Sequence, residues 1–225
     1  MRRAIVLVVT AAAMACGGSS NSKDNHGPSG TIGSRPFAAV EARSVTAASG
    51  ATACTVPNPL GSGNVQVGIK GLKIDLTSYA NICGDYTTAQ CKLHADAQSV
   101  TIVFAKLNPA PPFGAPAFTP GSYTIQPSPT IALPDGTGLL TVAYAQALRT
   151  GAACADAAPS PAVQGGTLRI DQVSDTVVTG GVNITFQDGS TVAGDFSAPA
   201  CPGVALDVCQ LAATQSFCSL PPACL

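Results

Sequence analysis

Between residues 65 and 196, apolar and polar residues alternate in short runs, and no stretch there repeats its apolar positions every three or four residues. Alternation gives a strand one buried and one outward face, whereas a helix needs the longer period. The runs cover 65–76, 99–107 (Val100, Ile102, Phe104), 121–126 (Tyr123, Ile125) and 138–148 (Leu140, Val142, Tyr144, Leu148). They continue over 166–173 (Leu168, Ile170), 181–187 (Val182, Ile184, Phe186) and 190–197 (Val192, Phe196). Gly, Pro and Asp turns separate them, so the pattern predicts an all-β fold, an antiparallel β-sandwich or barrel-like domain stapled by disulfides. Composition agrees. Among 12 acidic residues only Glu41 is a glutamate, which excludes long helices carrying Glu–Lys pairs.

Two local readings sharpen this expectation. Val65, Val67 and Ile69 occupy odd positions, but Leu72, Ile74 and Leu76 are even, so the parity flips across Lys70-Gly71. A one-residue shift turns the later set to the other face, which predicts a β-bulge at Gly71 or two short strands joined at a bend. Asp188-Gly189 between two alternating runs marks a hairpin. A two-residue loop would split the large apolar residues between faces. A three-residue loop, Gln187-Asp188-Gly189, pairs Ile184 with Val192 and Val182 with Gly194, keeps those residues on one face, and puts Gly189 in the left-handed position of a G1 bulge.

The chain starts with Arg2 and Arg3 and an apolar run over residues 4–14, far short of the roughly 20 residues a membrane-spanning helix needs. This predicts a signal peptide over residues 1–15. The sequence Ala13-Met14-Ala15-Cys16 followed by Gly17-Gly18 resembles a bacterial lipoprotein signal, with Ala13 where leucine is usual. The resemblance implies cleavage before Cys16 and its lipidation by acyl chains such as palmitate, which would give stable membrane anchoring. The cysteine count supports it independently. Nine cysteines leave one over in an exported protein. Setting Cys16 aside leaves Cys54, Cys83, Cys91, Cys154, Cys201, Cys209, Cys218 and Cys224, enough for four disulfides in an oxidising compartment.

Residues 16–53 read as the lipidated cysteine and a flexible linker of Ser, Gly, Asn, Ala and Thr, with an r.m.s. span of roughly 30–35 Å. Phe37, Val40 and Val45 are the only signs of an edge strand within it. The β-sandwich-like domain is expected over 54–201 and a Cys-rich C-terminal clasp over 202–225, where 202–217 fits a short amphipathic helix about as well as a strand. Sequence proximity favours a Cys83–Cys91 bridge, with Cys54 to Cys154, and Cys201, Cys209, Cys218 and Cys224 among themselves, as further pairings.

The run Gly166-Thr-Leu-Arg-Ile, Val178-Thr-Gly, Val182-Asn-Ile-Thr-Phe-Gln-Asp-Gly-Ser and Gly194-Asp-Phe-Ser-Ala-Pro-Ala-Cys201 has Pro120-Gly-Ser-Tyr-Thr-Ile125, Cys83 and Cys154 upstream. This set resembles the C-terminal half of predicted lipoproteins of myxobacteria and relatives. The resemblance covers about 65–201 and implies a secreted, lipid-anchored β domain. It transfers no catalytic residue, and the cysteine-rich tail after Cys201 departs from the pattern.

Chemistry-bearing residues are sparse. Only His26, in the linker, and His94 could serve as an imidazole base, and there is no nucleophile elbow, His-Glu-x-x-His helix or phosphate loop. Cys83, Cys91 and His94 have zinc-ligand chemistry but lack Cys-x₂-Cys spacing. Asp135-Gly136 and Asp188-Gly189 read as turns rather than calcium loops. No cofactor and no metal are expected. With 10% charged residues and a net charge of −1, the chain lacks the basic excess that nucleic acid requires. The Pro-rich segment 108–120 offers Phe113 and Phe118 as a partner loop, or as rings folded back over a sandwich end. The sequence thus points to a lipid-anchored cell-envelope protein, with the outer membrane favoured over the inner. Its expected role is a noncatalytic surface, binding or structural module for an unknown protein or polymer partner. The alternative is an envelope hydrolase with a loop-borne site.

Overall fold

In the computed structural model, the described residues are 27–46, 53–57, 63–86, 90–110, 113–114, 116–128, 138–154, 160–206, 209 and 220–224. They form thirteen strands and one short helix. In chain order these are β1 (Ser29–Ile32), β2 (Arg35–Ala38), β3 (Glu41–Thr46), β4 (Cys54–Pro57), β5 (Asn64–Thr77) and α1 (Ile82–Asp85). There follow β6 (Gln90–Leu93), β7 (Gln98–Asn108), β8 (Gly121–Ile125), β9 (Leu140–Arg149), β10 (Val163–Val173), β11 (Val177–Phe186), β12 (Thr191–Pro199) and β13 (Leu220–Cys224). All seven runs read from alternation are strands.

The strands make two facing antiparallel sheets. One has six strands in the order β2-β1-β12-β11-β10-β8, and the other runs β3-β5-β7-β9 with β4 added on β5. A parallel pair, β13 on β6, stands apart from both. The sheets touch along both sides through single bridges, Ser44 to Ala200 and Gln126 to Tyr144, so the sandwich approaches a closed barrel. Its interior is apolar. Leu72, Ile74, Leu76, Val100, Ile102 and Phe104 from one sheet meet Leu168, Ile170, Val182, Ile184, Phe186 and Val192 from the other. Each such side chain contributes about 1.5–3 kcal/mol of burial.

The β11–β12 hairpin has the expected register, Ile184 opposite Val192 and Val182 opposite Gly194. Gly189 sits at φ 83°, and its N–H donates to the Phe186 carbonyl at 3.0 Å. Asp188 Oδ1 accepts from the N–H and hydroxyl of Ser190 at 3.0 and 2.6 Å, which fixes the three-residue turn.

The bulge at Gly71 is not there. The pairing of β5 with β7 runs unbroken from Gly68 opposite Asn108 to Thr77 opposite Ser99. Parity flips because this strand buries both faces. Leu72, Ile74 and Leu76 point into the sandwich, while Val67 and Ile69 enter a second cluster outside it with Val45, Val103, Leu107, Tyr144, Cys201 and Leu206. The alternation rule assumes that one face meets solvent, and here the C-terminal segment covers it.

The linker expectation for 16–53 also needs correction. Residues 29–46 are three strands of the sandwich, with Phe37 and Val45 buried and Val40 exposed. The remaining linker residues up to 26, with Cys16 and His26, lie outside the described residues, as does most of 207–219, including Cys218.

Candidate functional site

The odd residues of β5 that face away from the sandwich include Lys73 and Asp75, and both are buried. Their neighbours across the ladder are Val45 and Arg43 on β3, and Val103 and Thr101 on β7. Over this face lies α1, which begins after Asn81 in the left-handed conformation, φ 75°. Glu41 Oε2 accepts the Ile82 N–H at 3.1 Å and its carboxylate pairs with Arg43, so the helix is tied to β3. Burial raises the Glu41 carboxyl, but Arg43 and the backbone donors of Ile82 and Asn81 outweigh it and hold the group below its ordinary value.

The helix delivers Tyr86 and Asp85. Lys73 Nζ lies 2.9 Å from Asp75 Oδ2, donates to Tyr86 Oη, and sits 4.2 Å from the centre of the Tyr86 ring. Tyr86 Oη donates to Asp75 Oδ2 at 2.5 Å, and Thr101 Oγ1 donates to Asp75 Oδ1 at 2.6 Å. Next to this cluster, Asp85 Oδ2 is 2.9 Å from His94 Nε2, and the His94 ring stacks on Tyr79 at 3.9 Å between centroids. Asp85 thus orients the one described histidine. No hydroxyl or thiol nucleophile is hydrogen-bonded to that imidazole ring among the described residues.

Burial, reinforced by Asp85 and Asp75, pushes the Tyr79 phenol well above its ordinary value of 10. Burial and Asp75 do the same more strongly to Tyr86. The folded phenols stay neutral where those of the unfolded chain ionise, so above about pH 10 the folded state holds more protons and stability falls as pH rises. This contribution is fully present below pH 10. The expected loss approaches about 1.4 kcal/mol per pH unit for Tyr86, and less for the more exposed Tyr79. Urea midpoints at pH 9, 10 and 11 measure it, and Tyr86→Phe should flatten the profile. A wild-type midpoint unchanged to pH 11 would mean that both phenols ionise within the fold.

The cysteines pair otherwise than proximity suggests. Cys83 bonds Cys201 and Cys54 bonds Cys209, with Cα–Cα distances of 5.3 and 5.4 Å. Cys83–Cys91, Cys54–Cys154 and a clasp closed on itself are therefore overturned as expectations for Cys54, Cys83, Cys201 and Cys209. The reason is β3. It holds α1 through Glu41, and its Ser44 carbonyl accepts the Cys201 N–H at 2.9 Å, so both cysteines arrive at the same strand. Farther on, the Leu206 N–H donates to Thr46 at 3.1 Å and leads the chain toward Cys54. Cys154 is disulfide-bonded as well. With Cys83 in a bridge, the zinc-like set of Cys83, Cys91 and His94 dissolves, and the described residues hold no cluster of three metal-ligating side chains.

The partner loop is also partly corrected. Phe118 is not an exposed tip, because its ring packs 5.3 Å from Phe104 at the rim of the core. Phe113 is half-buried at φ 55°, its N–H donating to the Ala110 carbonyl at 2.8 Å.

Sequence reading missed an open polar cleft of about 370 Å3 on the outer face of the six-stranded sheet, lined by Ser122, Thr167, Arg169, Gly181, Asn183 and Asp195 among others. Arg169 bridges two carboxylates there. Its Nε and Nη2 donate to Asp171 at 2.9 and 3.1 Å, and Nη2 also donates to Asp195 at 2.8 Å.

Fold and site together define a disulfide-stapled antiparallel β-sandwich in which buried Lys73 is paired with Asp75 and buried Asp85 with His94. Compared with protein-family models, curated proteins and solved structures, the chain matches none.

Proposed function

We propose that this chain is an exported lipoprotein of the cell envelope, anchored through Cys16, whose sandwich is a noncatalytic binding or structural module. The observation that carries the reading is the pair of bridges joining the C-terminal segment to residues 155 and 118 positions upstream. Bridges of this kind persist in oxidising compartments. The lipoprotein-like sequence at Cys16 and the even set of eight remaining cysteines support the same location, a membrane-anchored position in the envelope. A noncatalytic role is supported by how the acid–base groups are used. Asp75 is taken up by Lys73, Tyr86 and Thr101, and Asp85 by His94, with no nucleophile placed against that imidazole among the described residues. A protein or polymer is the expected partner.

The intact mass of membrane-extracted protein, alkylated before and after reduction, tests the reading. It should show cleavage before Cys16, an acyl mass increment, and eight thiols that appear only on reduction. Protein without lipid, or with free thiols before reduction, would overturn it.

A further inference from the structure

We infer that the cleft around Arg169 binds an uncharged, hydroxyl-rich chain, an oligosaccharide. The inference rests on reading the protein as a binding module and gives that module its ligand class. The ladder sets the surface. One row across the sheet reads Ser122, Arg169, Gly181, Asp195, and the adjacent row reads Thr124, Thr167, Asn183, Ala193. Four strands at about 4.8 Å spacing make a face about 14 Å wide, room for a short saccharide. The cleft's volume of about 370 Å3 falls within the span of small-ligand sites, roughly 300–1,000 Å3.

Gly181 lets the long Arg169 side chain lie across the sheet. A Cβ there would stand 3.4 Å from the guanidinium carbon and 2.7 Å from Asp195 Oδ1. Three hydrogen bonds hold that guanidinium in place before any ligand arrives, so little side-chain freedom is lost on binding. Its Nη1 and the exposed side chains of Ser122, Thr167 and Asn183 have no hydrogen-bond partner among the described residues. They form a mixed set of donors and acceptors, which is what hydroxyl groups match.

Other ligand classes fit worse. One arginine against Asp171 and Asp195 leaves a net charge of −1, which repels phosphate and polyanions. A cation would have to displace Arg169 from both carboxylates. An apolar ligand finds no large apolar side chain in either row.

Binding of detergent-solubilised full-length protein to chitohexaose, cellohexaose and maltohexaose, with heparin as the anionic probe, decides the matter. At least one neutral hexasaccharide should bind. Arg169→Ala and Asn183→Ala should each weaken it about tenfold, the worth of one to two hydrogen bonds. Gly181→Val, which fills the cleft floor, should abolish it. Asn183 is exposed and makes no side-chain bond among the described residues, so its variant keeps the fold even if Arg169→Ala does not. Failure of all three neutral glycans, binding unchanged by the variants, or binding of heparin alone would each overturn the inference. The mass of Cys16 is read independently, so a failed glycan with an acylated Cys16 removes the ligand and leaves the envelope reading standing.

Discussion

Replacing Cys83 and Cys201 together by alanine should lower the unfolding free energy by about 4 kcal/mol in the chain-entropy model. The bridges are nested, and this sets the number. Cys83 and Cys201 are 118 residues apart, but Cys54–Cys209 already brings them close in the unfolded chain. The path between them then runs through the 29 residues from Cys54 to Cys83 and the 8 from Cys201 to Cys209. The same path governs removal of Cys54–Cys209 alone, so the two single deletions should cost alike. Deleting both opens the long loops and should cost about 9 kcal/mol, within the whole range of stability of an ordinary domain. Urea unfolding of the oxidised protein and the three variants measures this series. Losses below about 1 kcal/mol for both single deletions would mean that contacts of Val204 and Leu206 hold the C-terminal segment without the bridges.

The seven central strands were legible because each carries enough large apolar residues at period two to declare its face. The 187–189 hairpin was legible to the register, since one loop length alone kept Ile184, Phe186 and Val192 together. The early strands were not. β1 and β2 offer one large apolar residue each, Ile32 and Phe37, and β1 gains its stability from a partner far along the chain, β12. Phe37 and Val45 were the available signals. Disulfide pairing was misread because sequence proximity says nothing about where a chain end docks, and hydrogen bonds to β3 decide that. The buried polar cluster looked like the solvent face of a half-exposed strand. Its one legible mark was a pair of opposite charges two residues apart, Lys73 and Asp75, on a single strand face. The Arg169 cleft depends on the register of four strands, β8, β10, β11 and β12, which the sequence reading resolved for β11 and β12 only.

The Lys73–Asp75 pair is where a single change should cost most for its size. The side chains are only 6% and 4% exposed, so removing one partner takes away the opposite charge beside an ion held in the protein interior. Asp75→Leu removes the carboxylate beside the Lys73 ammonium and deprives Tyr86 and Thr101 of their shared acceptor. Losses of about 3–5 kcal/mol follow when a buried pair is broken in this way. Lys73→Met should cost a similar amount, because it leaves the carboxylate with two neutral donors and no cation. The double variant Lys73→Met/Asp75→Leu should recover most of the loss, since neither charge then has to be desolvated and the face already carries Val45, Val67 and Val103 nearby. A double-mutant cycle by urea denaturation separates the possibilities. Strong recovery in the double variant assigns the cost to the stranded charge. Simple addition of the two losses would instead place it in the hydroxyl network of Tyr86 and Thr101, because Asp75→Leu orphans those donors whether or not Lys73 is present.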